Sequence, residues 1–306
     1  MAEAARGLDA PTGRARVGGL FHRHRWLTPY ALLSPGLAWL ALFFVVPLGF
    51  LVYQSLETQD VILFTNSFDW AWHNYSDAFT TYHTQLVRSF EYAAIATGIA
   101  LLLSYPLAYW IAFRGGRWKN LFLLMIIAPF FITYLIRTLA WETILSDQGP
   151  VVHFLRYVHL INVIGQNDRL LATPTAVVAG ITYNFLPFMA LPLYVALEQI
   201  DPRLIEAGQD LYASKLRTFL HVTLPLSMPG VIAGTLLTFI PAAGDFINAQ
   251  LLGTPRQFMI GNVIQSKFLE LTDYPSAAAL SLLLMAVILI MVAVYVRLLG
   301  TEKLTG

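Results

Sequence analysis

At 306 residues the chain is 57% hydrophobic and only 12% charged, with a formal net charge of +1 and a mean hydropathy of +0.62. Charged residues make up about a quarter of an ordinary soluble domain, so this chain must keep much of its surface in lipid. The near-neutral balance gives no case for a nucleic-acid partner. The absence of cysteine excludes disulfides, thiolate nucleophiles and Cys-based zinc sites.

Residues 1–28 are polar, Gly-rich and basic (Arg6, Arg14, Arg16, Arg23, Arg25), the composition of a cytoplasmic tail. The apolar run at 29–53 is too long for the hydrophobic region of a signal peptide and lacks a small-residue cleavage site, so it reads as a first span. With about 20 apolar residues needed to cross a bilayer core, the chain offers six spans. They lie at 30–54, 87–113, 120–141, 172–197, 226–246 and 278–299. Between them fall an aromatic, polar loop (57–85), a mixed stretch (143–171) in which 150–160 is expected to form a short surface helix, and a third loop (247–277). Residues 300–306 are a second cytoplasmic tail. The predicted fold class is all-α, a polytopic membrane protein with its transmembrane domain at 29–299.

Orientation follows from Lys and Arg. With the N-terminus inside, thirteen of the nineteen fall on the cytoplasmic side, among them Arg114, Arg117, Lys119, Arg203, Lys215, Arg217 and Arg297. The other six (Arg88, Arg137, Arg156, Arg169, Arg256 and Lys267) fall opposite or at span ends. That is the positive-inside asymmetry, and it places the stretch around Glu206 in the cytoplasm.

That stretch, LIEAGQDLYASKLRTFLHVTLP, is charged and amphipathic between two spans. Asp201 is a good N-cap and Pro202 suits the first helical turn. Leu204, Gly208, Leu211, Lys215 and Phe219 recur at three or four residues, with Tyr212, Leu216 and Leu220 widening the stripe, which predicts one helix over about 202–220. Glu206, Gln209, Asp210, Ser214 and Arg217 lie largely off it. Such a helix, parallel to the membrane, is a handle for a soluble partner.

Prolines and glycines inside the spans (Pro47, Pro106, Pro129, Pro187, Pro192, Pro241, Gly98, Gly180, Gly234, Gly244) serve close packing and kinks. Ionisable groups in or near spans are costly and hence functional candidates. Asp245 sits at the outer end of the fifth span. Glu142 ends the third, with Arg137, on the same helical face, as its expected partner. Glu91, in the first turn of the second, needs only the helix dipole to explain it.

Glu206-Ala207-Gly208, Asp210-Leu211, Ala213-Ser214 and Leu224-Pro225 resemble the EAA loop of binding-protein-dependent ABC importer permeases. The resemblance implies a type I importer permease fold. In it this loop is a coupling helix seated in a cleft of an ATPase subunit, with Glu206, Ala207, Gly208, Asp210, Leu211, Tyr212, Ser214 and Leu216 as the coupling residues. Two positions depart from the pattern: Gly208 stands where a second Ala is common, and Tyr212 where the family most often has Gly.

A second region, 241–279, resembles the spermidine/putrescine branch of the same family. Gly244-Asp245-Phe246, Leu251-Leu252-Gly253, Met259 to Ile264 and Asp273-Tyr274-Pro275 carry it, supported by Arg137 to Trp141 and Pro192-Leu193-Tyr194. The resemblance covers about 29–299. It implies two ATPase subunits that bind ATP and Mg, a second permease subunit in a heterodimer, an extracytoplasmic substrate-binding protein, and a bacterial cytoplasmic membrane with both termini inside. It implies no cofactor on this chain. A polyamine needs carboxylates for its ammonium groups and aromatic faces for cation–π contact. Asp245, Glu142 and Asp273, with Trp141, Tyr134, Tyr183, Phe246 and Tyr274, supply both.

No G-x-x-x-x-G-K-[ST] loop, H-E-x-x-H pair or G-x-S-x-G elbow occurs. His153 and His159, six apart, fall on different helix faces and make a poor metal pair. The sequence therefore describes a non-catalytic subunit that borrows its energy. Other solutes, such as an iron chelate or a thiamine-like amine, stay open. So does a secondary transporter without an ATPase, which would call for inverted repeats.

Overall fold

The computed structural model describes residues 27–60 and 65–299. The predicted tails, apart from Leu27 and Thr28, lie outside the described residues. Internal contacts divide the chain after Tyr53. The described part of the first unit is a single apolar helix: α1 (Leu27–Leu40), a π turn (Ala41–Val45) and α2 (Val46–Ser55), which carries the chain into the second unit.

The second unit opens with a hairpin, β1 (Glu57–Asp60) antiparallel to β2 (Thr65–Phe68), with Glu57 opposite Phe68. Asn74 ties its base down, its amide donating to the carbonyls of Ser55 and Glu57 at 2.9 Å each. α3 (His73–Arg114) follows and is 42 residues long. It starts well before the predicted 87, because the polar residues 73–86 extend the helix beyond its apolar part, past a kink at Tyr82 (φ −115°, ψ 15°). Hydropathy alone cannot see such an extension.

The predicted third span, 120–141, is not one helix. α4 (Lys119–Ile127) runs into a 3-10 turn (Ala128–Phe131), and α5 (Tyr134–Leu145) leaves at 97°. Pro129 sits in that turn and cannot donate to the helical ladder, and Ile132 and Thr133 are extended. α6 (Pro150–Tyr157) and α7 (Ile161–Ile164) form the surface excursion. A bidentate Arg169–Asp147 ion pair and hydrogen bonds from Arg156 to the carbonyls of Asp147 and Asp168 clip it shut.

α8 (Pro174–Glu198) is the most buried of the candidate spans among the described residues. Thr173 caps it by accepting from the Ala176 amide, with Pro174 in the first turn. It packs against α3 on one side and α11 (Leu224–Ala243) on the other. The reason is written in α3, where Ala93, Ala96, Ala100, Ser104 and Ala108, all fully buried, recur at three or four residues. Small side chains in that stripe let backbones approach closely, and packing of this kind holds helices together in lipid. On α11 a Cβ at Gly230 would lie 2.5 Å from Ala196 Cβ and 2.7 Å from the Pro192 carbonyl. No side chain fits there.

The predicted loop 247–277 is largely helical: α12 (Ile247–Leu252), a 3-10 turn (Pro255–Gln257), α13 (Ile260–Gln265) and a π turn (Ser266–Glu270) lead into α14 (Tyr274–Leu299). Among the described residues, five helices are long and apolar enough to span a membrane. The bent pair 116–131 and 134–157 is the sixth candidate if it counts as one span. Leu289, Ile290, Val294 and Leu298 on α14, and Leu102 and Leu103 on α3, point outward, as lipid-facing positions do.

Candidate functional site

The stretch predicted as one helix over 202–220 is two helices meeting at a corner. Asp201 accepts from the Arg203 amide at 2.9 Å and opens α9 (Pro202–Asp210). α9 ends in a hydrogen bond from the Ala213 amide to the Gly208 carbonyl, 3.1 Å, around Tyr212 at φ +59°. A bond spanning six residues around a left-handed residue is a Schellman C-cap, whose left-handed position is normally glycine. Here Tyr212 takes it. Ser214 then accepts from the Arg217 amide at 3.3 Å and caps α10 (Lys215–Thr218). A π turn (Phe219–Thr223) joins α10 to α11, so the fifth span begins at Lys215, eleven residues before its predicted start.

The corner has an inner and an outer face. Ile205 packs on the cluster of Leu193, Leu197 and Ile200. A Cβ at Gly208 would lie 3.2 Å from the Thr218 side chain, so α9 rests against the foot of the span at this point. Outward stand Glu206, Ala207, Asp210 and Ser214, all exposed, with Leu211 82%, Tyr212 99% and Leu216 68% exposed. Three large apolar groups held in water beside two carboxylates are what a protein partner can cover. Phe219 is wedged edge-on against Tyr105 and Tyr109 of α3, and Tyr105 hydrogen-bonds Ser227 at 2.8 Å, so the corner is anchored to the span bundle. Lys119 pairs with Glu198 and lies over the Tyr194 ring, fixing α4 to the end of α8 that leads into α9.

A second constellation forms where α11 ends. Asp245 is buried between α11 and α12, and one oxygen accepts from the Asn248 amide at 3.1 Å. The other accepts from the Tyr134 hydroxyl at 2.5 Å and from the Asn248 side chain. Asn248 also donates to Tyr134 (2.6 Å) and receives Asn184, which in turn reaches Thr138. The network is packed between α5, α8 and α12, with Phe185 beside Tyr134 and Phe188 against Phe185. Aromatic walls around a carboxylate are a setting in which an ammonium group is stabilised by charge and by π faces together.

The other predicted pathway residues divide. Trp141 and Tyr183 meet at 5.2 Å on the α5–α8 face, and Phe246 directly follows Asp245. Glu142 is half-buried, and no hydrogen bond or ion pair of its carboxylate occurs among the described residues. The expected Glu142–Arg137 pair does not form: five residues apart, the two point to different helix faces. Asp273 is engaged elsewhere. It pairs with Lys267 at 2.8 Å and accepts from the Ser276 amide at the start of α14, while Tyr274 stacks edge-on with Phe268. Burial raises the Asp273 carboxyl, but the hydrogen bonds from Lys267 and Ser276 outweigh it and hold the group below its ordinary range. For Lys267 burial works downward and the Asp273 bond upward, with a net rise. Asn184 and Asn248 escaped the sequence reading. The available signal was a lone amide in the apolar run of α8, a costly group to bury without partners.

The description "Binding-protein-dependent transport system inner membrane component" fits residues 104–300. Among characterised relatives, the spermidine/putrescine transport system permease protein PotB of Escherichia coli is 38% identical over 260 residues, 85% of this chain and 93% of that protein. The inner membrane ABC transporter permease protein YdcU of the same organism is 30% identical and covers 94% of each chain. A solved bacterial ABC transporter involved in import of the acidic polysaccharide alginate shares the fold, with a TM-score of 0.66, 21% identity, and coverage of 95% of this chain and 100% of that one.

Proposed function

We propose, from the premise that this chain belongs to the binding-protein-dependent transport system inner membrane components, that it is the permease subunit through which an ABC importer moves polyamines inward. The observation that carries the substrate class is the Asp245 carboxylate held inside an aromatic-walled core with no cation paired to it among the described residues, in a chain 38% identical to a spermidine/putrescine permease. A polyamine ammonium matches that carboxylate, and Trp141, Tyr183 and Phe246 offer faces to its other charges.

Energy comes from outside the chain. Two ATPase subunits bind ATP and Mg and close on each other, and their clefts carry the 201–218 corner with them. Glu206 supplies a charge contact there, and Leu211, Tyr212 and Leu216 the apolar one. Because α10, the π turn and α11 are continuous, displacement of the corner reaches Asp245 along a single helix, which supports alternating access between the two membrane faces. A second permease completes the channel and a substrate-binding protein delivers the solute on the outer face. The chain acts as a non-catalytic subunit, in keeping with the absence of a P-loop motif from its sequence. Both termini lie in the cytoplasm, on the side where Lys and Arg concentrate.

The test is uptake of labelled spermidine and putrescine in cells lacking this chain, restored by wild type, Glu206→Lys or Asp245→Asn. Wild type should restore uptake. Glu206→Lys should abolish it while the chain stays in the membrane and no longer copurifies with the ATPase. Asp245→Asn should weaken uptake with ATPase assembly intact. Restoration of uptake by Glu206→Lys would refute the coupling role, and failure of wild type would refute the polyamine assignment.

A further inference from the structure

One buried charge of α5 forms no ion pair among the described residues. Arg137, on the first turns of α5, is 7% exposed. Its Nε and Nη1 are buried and have no hydrogen-bond partner. The guanidinium carbon lies 5.2 Å from the centre of the Phe130 ring and 5.5 Å from that of Tyr134. Aromatic faces replace only part of the water and hydrogen bonds that a guanidinium loses on burial. An arginine cannot escape by giving up its proton.

Tyr134 is also the residue whose hydroxyl donates to Asp245. A buried cation and a buried carboxylate thus occupy the ring and the hydroxyl of one tyrosine without pairing. Asp245 is satisfied meanwhile by Tyr134 and Asn248. The approach to α5 is exposed and non-helical: Phe131 is 83% exposed, Ile132 is 51% exposed, and the backbone at Ile132 and Thr133 is extended across the 97° bend. Pairing of the two charges would require the Arg137 side chain to pass the Tyr134 ring and the start of α5 to shift.

We propose that Arg137 is a tethered counter-ion and selectivity residue of the pathway. It pairs with Asp245 in a substrate-free state of the cycle, and the arriving substrate ammonium displaces it to the aromatic seat seen here. A solute must then outcompete a cation already in place. A lone ammonium is a poor competitor, whereas a polyamine adds contacts through its further charges. The identity of the displacing cation rests on the polyamine reading; the pairing of Arg137 with Asp245 does not.

Two measurements separate these points. The first is a double-mutant cycle on the thermal midpoint of the purified transporter in nanodiscs without substrate, using Arg137→Gln, Asp245→Asn and the double variant. Pairing predicts that the double variant loses less than the sum of the single losses. Additive losses overturn the proposal, as expected of an arginine satisfied only by buried water. If Arg137→Gln does not assemble, restoration of assembly by adding Asp245→Asn supports the pair, and failure to restore it overturns it. The second measurement compares spermidine with butylamine. Arg137→Gln should bind spermidine about tenfold more tightly and turn over more slowly, and should admit butylamine, while Arg137→Lys should keep the wild-type preference. Unchanged affinity and preference in Arg137→Gln would remove the selectivity role. Absence of spermidine binding to wild type would instead remove the polyamine reading and leave the cycle to decide the pair.

Discussion

Replacing Gly180 by Ala would place a methyl group where two side chains of α12 already stand. A Cβ there lies 2.4 Å from Leu252 Cδ1 and 2.6 Å from Asn248 Oδ1. Leu252 and Asn248 are both fully buried, so neither has room to swing aside. Alanine is better than glycine in a helix by about 1 kcal/mol, whereas overpacking a filled core costs about 1–3 kcal/mol. The clash therefore sets the sign, with a net loss of up to about 2 kcal/mol. Gly98→Ala on α3 is the control, because its Cβ would meet nothing within 4 Å and the propensity gain should survive. The thermal midpoints of the purified chains in one detergent should rank Gly98→Ala above wild type and Gly180→Ala below it. Because Asn248 also holds Asp245 and Tyr134, Gly180→Ala should depress uptake at matched membrane levels, while Gly98→Ala should not. A Gly180→Ala protein as stable as Gly98→Ala, with normal uptake, would refute both the packing argument and the hub role of Asn248.

Tyr212→Gly removes a left-handed strain of about 1–2 kcal/mol and adds about 0.5–1 kcal/mol of chain-entropy cost, so the isolated chain should gain up to about 1.5 kcal/mol. The same change should weaken ATPase copurification by removing an exposed ring, and a lowered thermal midpoint would contradict the Schellman assignment. Ser214→Ala should cost about 1 kcal/mol through loss of the α10 cap, whereas Ser214→Asp should cost little; equal midpoints for wild type and Ser214→Ala would dismiss the cap. The Lys267–Asp273 clasp has a defined pH window. The depressed Asp273 carboxyl contributes above the ordinary carboxylate value of about 4 and loses its effect as pH falls through the lower folded value. The raised Lys267 contributes below about 10.4 and is lost as pH climbs through its higher folded value. Asp273→Asn should therefore lower the midpoint across the neutral range, with the gap closing below about pH 4. A gap that stays constant to acid pH would mean that the carboxylate charge contributes nothing.

The sequence by itself determined the membrane class, most of the spans, the charge bias and the identity of the EAA-like stretch. All of these are properties of residues near one another in the chain: apolar length, the side on which Lys and Arg collect, an ordered run such as Glu206-Ala207-Gly208. The corner was legible in principle, since Ser214 before Lys215-Leu216-Arg217 is a capping pattern. The apolar repeat from Leu204 to Phe219 masked it, because periodicity records spacing and not the sign of φ at Tyr212. The 97° bend after Pro129 was hidden for a similar reason, hydropathy being blind to direction. Only the tertiary structure decided which polar residues form the site. Tyr134 and Asp245 are 111 positions apart, and Asn184 and Asn248 are 64 apart. Their meeting depends on α5, α8 and α12 packing against one another, with Gly180 of α8 leaving the room that Asn248 and Leu252 of α12 fill. That packing, rather than any local pattern, joined Asp245 to Tyr134 and Asn184 to Asn248, whereas the Lys267–Asp273 pair, six residues apart, and the separation of Glu142 from Arg137 on one helix are local effects.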